Sequence, residues 1–148
     1  HAVARGATQG YQDTYPDHRI AFHGQNVPHP FFGVPELLVQ MLDKLIENAV
    51  DFTPAGGNIR IELSSGNGRY TLSVANDGPP LPPSMQGSLF DSLVSMRRGH
   101  SDQPHLGLGL FIARLIVQFH AGDIQGHNRS DGQGVVFRIN LPNDKERV

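Results

Sequence analysis

Between residues 36 and 52 the apolar side chains Leu38, Met41, Leu42, Leu45, Ile46, Ala49 and Phe52 recur at steps of three and four, the period of a helix with one buried face. Such a stripe must be covered by another layer. Pro35 stands at the first helical position, where its missing N–H costs nothing, and Thr53-Pro54-Ala55-Gly56-Gly57 ends the run. The covering layer follows at once: alternating runs at 58–63 and 70–75 flank the turn-rich Ser64-Ser65-Gly66-Asn67-Gly68 and predict a hairpin. Upstream, His18 to Phe22 alternate and close on Gly24, a short strand. Downstream, a second helix is expected from about Leu108 to His120, stopped by Gly122, then a short strand Asp123-Ile124-Gln125 and a strong one at 135–141. Residues 1–14 are polar, show neither period, and read as a loose lead-in to a domain spanning 15–148. Residues 76–107 hold five prolines and form a long irregular stretch, which in a compact domain is functional or disordered. The order predicts an α/β sandwich, one sheet of about five strands covered on one face by helices.

Composition narrows what such a domain does. With 148 residues, 38% hydrophobic and 18% charged, the chain holds material for one core. Twelve Lys+Arg against fourteen Asp+Glu leave a formal net charge of -2, without the basic surplus of a nucleic-acid footprint. The absence of cysteine excludes disulfides, thiolate zinc sites and thiol catalysis, and fits a reducing cytoplasm. No apolar run approaches the ~20 residues of a membrane span, and the opening residues lack a signal-peptide core. Eight histidines are scattered, with no helical i, i+4 pair and no His-Glu-x-x-His.

Three features carry chemistry. Asn48 lies within about 20° of Met41 on the helical wheel, at the edge of the buried face, so its amide needs a partner. That partner is either a neighbouring backbone group or a hard cation such as magnesium. Lys44 and Asp51, at i−4 and i+3, share its polar seam. Asn76-Asp77-Gly78-Pro79-Pro80 follows a strand directly: an Asx-Gly turn there is either only a turn or a site where a polar side chain and exposed backbone meet an adenine edge. His105-Leu106-Gly107-Leu108-Gly109-Leu110 runs into a helix, where backbone N–H groups and the helix dipole suit an anion such as a phosphate chain. It is neither a Walker A loop nor a Rossmann fingerprint.

In this order and spacing the motifs resemble the ATP-binding catalytic domain of sensor histidine kinases, within the Bergerat-fold group of gyrase, Hsp90 and MutL ATPases. The likeness runs from about Tyr15 to Pro142. Residues 40–54 resemble the family's N box, Leu89-Phe90-Asp91 its phenylalanine box within a long ATP lid, and Gly107-Leu108-Gly109-Leu110 with His120-Ala121-Gly122 its second glycine box and the helix after it. The resemblance implies a mixed sheet covered by about three helices and transfer of the γ-phosphoryl of Mg-ATP to a histidine on a separate helical dimerisation domain, and then partnership with a response regulator receiver domain. By the same resemblance Asn48 coordinates Mg2+ and is catalytic, and Lys44, which departs from the family pattern, is expected to act beside it as a phosphate-directed cation. ATP is then contacted by Asn48, Asp51, Phe52, Asn76, Gly78, Leu81, Leu106, Gly107, Leu108, Gly109 and Leu110. Residues 1–14 become the lead-in from the dimerisation domain, and the chain the cytoplasmic part of an inner-membrane sensor that itself touches neither nucleic acid nor membrane.

Several positions depart from the family pattern. Lys44 replaces the usual Asn or acidic residue four before the magnesium Asn, and Asp51 replaces the usual base three after it, a charge swap that keeps a phosphate-directed cation at a new position. Asn76 replaces an adenine-contacting Asp, Pro80 a glycine, and His105 the first glycine before the Gly-Leu-Gly-Leu run. These predict weaker nucleotide binding than in a typical member. They also leave open a degenerate nucleotide-binding signalling module with weak or no kinase activity. Lys44 where related ATPases carry a catalytic Glu argues against intrinsic hydrolysis. The lid residues Arg97, Arg98, His100 and His105 either reach the phosphates or the partner helix, or form a solvated basic loop. The chain carries no His-Glu/Asp-x-x-x-Pro acceptor motif, so it is not expected to phosphorylate itself alone.

Overall fold

The computed structural model describes residues 2–24, 34–66, 68–80 and 105–142, with the backbone alone for 2–3 and 105–108. Leu81, the 89–91 phenylalanine box and the lid residues Arg97, Arg98 and His100 lie outside the described residues. The elements are α1 (Ala2–Thr14), β1 (Arg19–Gly24), α2 (Pro35–Phe52), β2 (Asn58–Gly66), β3 (Arg69–Asp77), α3 (His105–Phe119), β4 (Asp123–Asn128) and β5 (Gly134–Pro142). The strands form one sheet in the order β1-β2-β3-β5-β4; β1 and β2 are parallel and joined through α2, and the other pairs are antiparallel. This is the mixed five-stranded sheet with three helices that the family resemblance implies, with α1 as a helix that the sequence pattern does not predict.

Alternation along the strands builds the core. Ile20, Ile59, Ile61, Leu72, Val74, Phe137 and Ile139 turn to one side of the sheet and meet Met41, Leu42, Leu45, Ile46 and Ala49 of α2 and Leu110, Ala113, Ile116 and Val117 of α3. Leu45, Ile46 and Ala49 are wholly buried, as the three-and-four spacing requires. On the opposite side Arg60, Glu62 and Arg138 are exposed.

Three expectations are corrected. Residues 2–14 form a helix rather than a loose lead-in. Its buried stripe is Ala4, Thr8 and Tyr11, too weakly apolar to register as a period, and it packs on β1 and α2. Tyr11 joins the core and its hydroxyl donates to Asp43 Oδ1 at 2.5 Å, while Gln12 clamps β1 by donating to His18 O and accepting from Ile20 N, both at 2.8 Å. The last helix begins at His105, not Leu108, so Gly107 and Gly109 fall in its opening turns rather than before it. Its end also differs in kind. The left-handed residue after the helix is Ala121, at φ 60°, whereas Gly122 is required because a Cβ there would fall 2.3 Å from Asn140 O.

The two helices that flank the candidate site are tied end to end. Val34, the residue before α2, donates its N–H to His120 Nε2 at 3.1 Å, and His120 Nδ1 pairs with Ile116 O at 2.9 Å. The buried ring is thereby held as the neutral Nδ1–H tautomer, because one nitrogen must accept and the other donate.

Candidate functional site

Helix α2 carries Lys44, Asn48, Asp51 and Phe52 past the end of β3, which carries Asn76 and Gly78, and past the start of α3, which carries Gly107 and Gly109. Two contacts bring these segments together. A Cβ on Gly78 would stand 2.4 Å from Phe52 O, and its φ of 144° lies where side chains are rarely tolerated, so only glycine lets the strand end close on the end of α2. At the other end a Cβ on Gly109 would lie 3.8 Å from Lys44 Cβ and Cδ, so the first turns of α3 rest on the Lys44 stem.

Asn48 lies deeper than its place on the helical wheel implied, at 4% exposure. Its Oδ1 is buried and, among the described residues, accepts no hydrogen bond. An unpaired buried acceptor of this kind costs roughly 1–3 kcal/mol. A second buried atom in the same condition is His18 Nδ1; the other ring nitrogen of His18 donates to Thr53 O at 2.8 Å and steadies the end of α2. Lys44 is part-exposed and its only ion pair among the described residues is Glu47, one turn on, at 3.9 Å. Asp51 is exposed, Phe52 half-buried. Leu110 is fully buried in the core, which makes its side chain a packing element rather than part of an open surface.

The strand end is held tightly. Asn76 is 2% exposed and donates through Nδ2 to Asp77 O at 3.0 Å, which turns its Oδ1 to the other side. Asp77 points to the opposite side of the sheet. Its carboxylate accepts from Asn58 N (3.0 Å), Asn58 Nδ2 (3.1 Å) and Arg129 Nη1 (2.6 Å). These bonds, the Arg129 one foremost, hold its pKa below the ordinary 3.8 and raise that of Arg129 in return. Arg129 also donates to Asn76 O (3.3 Å) and Asp131 Oδ2 (2.6 Å), and Gly78 N donates to Gln133 O (2.9 Å). Sequence reasoning did not single out Arg129, Gln133 or Gly134. Their one signal is the Arg-Ser-Asp-Gly-Gln-Gly turn itself, whose role depends on a strand some fifty residues away. Among the described residues no three His, Cys, Asp or Glu side chains group as a metal site.

The site's frame is a helix amide whose oxygen has no partner among the described residues, a glycine-closed strand end and a glycine-opened helix. Residues 33–145 match the model of the histidine kinase-, DNA gyrase B- and HSP90-like ATPase family. The chain belongs to this family. Within it the chain is a catalytic, ATP-binding domain of the histidine kinase type. It is 33% identical over 114 residues to the heme sensor protein HssS of Staphylococcus aureus, covering 77% of this chain and 24% of that protein. The chain thus spans about a quarter of the curated relatives it matches. The catalytic domain of histidine kinase ThkA superposes with a TM-score of 0.83 at 25% identity, covering 99% of this chain and 94% of that one. ThkA in complex with the response regulator TrrA matches with a TM-score of 0.80 at 25% identity, over 99% of this chain and 41% of that one. The mycobacterial sensor histidine kinase MprB shares the fold, with a TM-score of 0.78 at 21% identity over 95% and 92% of the two chains. Among the described residues of this domain no helix is long and apolar enough to cross a membrane.

Proposed function

We propose that this domain binds Mg-ATP between α2, the end of β3 and the start of α3, and passes the γ-phosphoryl group to a histidine on a separate helical dimerisation domain. The observation that carries the reading is the buried Asn48 Oδ1, which has no partner among the described residues. An amide oxygen is a suitable ligand for a hard cation that keeps phosphate and water in the rest of its shell. Bound Mg2+ would supply charge neutralisation for phosphoryl transfer. The rest of the work belongs to this chain's own residues. Asn76 offers its Oδ1 to the adenine amine, Gly78 lets the backbone approach the base, and Phe52 lines the purine pocket. Gly107 and Gly109, with Leu106 and Leu108, present the opening turns of α3 and their N–H groups to the phosphates. Lys44, one turn before Asn48, directs a cation at the same phosphates, and Asp51 flanks the nucleotide from the following turn.

In this reading α1 is the link from the dimerisation helices, the phosphoryl group continues to a response regulator receiver domain, and the domain works on the cytoplasmic side of an inner-membrane sensor. Titration calorimetry with a non-hydrolysable ATP analogue is expected to show binding that requires Mg2+ and is weakened at least tenfold in Asn48→Ala. Labelled phosphate should pass from Mg-ATP to a supplied histidine-bearing dimerisation domain. Absence of binding at millimolar nucleotide would leave a degenerate signalling module instead.

A further inference from the structure

The β4–β5 turn grips the end of β3 at three consecutive residues. Arg129 Nη1 donates to Asn76 O and to the Asp77 carboxylate, and Gln133 O accepts from Gly78 N. The turn is rigid in its own right: Arg129 N donates to Gly134 O, Gly132 N to Arg129 O, and Asp131 bridges Arg129 Nη2 and Gln133 N. Gly134 lies so close to β3 that a Cβ would stand 1.8 Å from Asn76 O. Asp77 receives two further hydrogen bonds from Asn58 at the start of β2. The consequence falls on the neighbouring side chain. Only an NH2 group donates to a carbonyl, so the Asn76 Nδ2 bond to Asp77 O determines which end of the amide is left over. With Asp77 anchored, that end is Oδ1, an acceptor, and among the described residues nothing donates to it.

We infer that Arg129, acting through Asp77 from the far side of the sheet, is a positioning residue that sets the base selectivity of the nucleotide site by orienting the Asn76 amide as an acceptor. The inference rests on the reading that an adenine nucleotide binds at Asn76. Arg129 itself touches no nucleotide in this account, because Asp77 and Asn76 point to opposite sides of β3. An adenine has an exocyclic amine to donate. A purine without that amine gains nothing from a correctly turned Oδ1, so the two bases separate orientation from general support of the fold.

The test is calorimetry of the whole chain with Mg-ATP and with the Mg-triphosphate of purine riboside, which lacks the amine, alongside the melting temperature of each variant. The wild type is expected to prefer ATP by about tenfold, the worth of one good hydrogen bond. In Arg129→Gln that preference should fall to about twofold or less, with the affinity for the amine-free nucleotide little changed. Arg129→Lys, which keeps one charged donor, should recover most of the preference, and Asp131→Asn, which loosens Arg129 without touching Asp77, should lose part of it. A folded Arg129→Gln or Asp131→Asn protein with undiminished preference overturns the inference, as does equal weakening toward both nucleotides. Wild-type binding of ATP without preference overturns it while leaving ATP binding intact. Failure of the wild type to bind either nucleotide overturns the ATP reading, and the inference with it.

Discussion

At the strand end of the site, Asp77, Asn76 O and Gly78 N are all engaged by Arg129, Asn58 and Gln133, and glycines at 78 and 134 are demanded by backbone contacts under 2.5 Å from any Cβ. On the helix side, Asn48 Oδ1 has no partner among the described residues, Lys44 makes one long contact, and Gly109 would accept a side chain at ordinary van der Waals distance. The backbone and the Asp77 carboxylate of the first region are satisfied by folding, which among the described residues leaves Asn76 Oδ1 over. The second leaves polar groups uncommitted, as a site does when its partners arrive with the ligand. The contrast teaches that substitutions on the helix side should act mainly on binding, whereas those at the strand end should act mainly on stability, apart from the base selectivity set through Asn76.

Glycine substitutions give the largest effects. Gly134→Ala forces a Cβ into Asn76 O and is expected to cost about 3 kcal/mol, at the upper end of overpacking penalties, read as a lowered denaturation midpoint. Gly109→Ala should instead raise stability by about 0.5–1 kcal/mol, since alanine is the better helix former, while weakening nucleotide binding. A destabilised Gly109→Ala protein would break the comparison.

Acid titration gives a smaller difference. The Asp77 pKa is lowered in the fold, so its contribution to stability is complete above its ordinary value of 3.8 and is lost as the pH falls through the lowered value. Acid unfolding below about pH 4 should therefore flatten in Asp77→Asn, and an unchanged acid limb would contradict the pairing. Smallest is Lys44→Ala. Its exposed pair with Glu47 is worth at most about 0.5 kcal/mol, so melting should scarcely move while affinity for Mg-ATP falls several-fold. Unchanged affinity would remove Lys44 from the phosphate site.

Where local pattern determines structure, the sequence was legible. The α2 stripe, the β2–β3 hairpin and the β5 strand follow from spacings of three, four and two among strongly apolar residues. Helix α1 was not legible because Ala4, Thr8 and Tyr11 form its buried stripe without a strong hydropathy signal. The start of α3 was misjudged because its opening glycines look like loop residues, yet Leu106, Leu110, Ala113 and Val117 keep helical spacing through them. Of the candidate site, Asn48 and Gly78 stood out by residue type and position. The depth of Asn48 and the Arg129 clamp did not, since both depend on what distant segments bring alongside.

The central claim is that Asn48 Oδ1, unpaired among the described residues, is there for a ligand to satisfy. Asn48→Leu tests it directly, since an apolar side chain of similar shape removes a buried unpaired acceptor at little or no cost to stability. The account predicts a melting temperature equal to or above that of the wild type, together with loss of Mg2+-dependent ATP binding by at least about tenfold. A melting temperature several degrees lower, with Mg2+-dependent binding unchanged, would show that the amide serves the fold and would contradict the account.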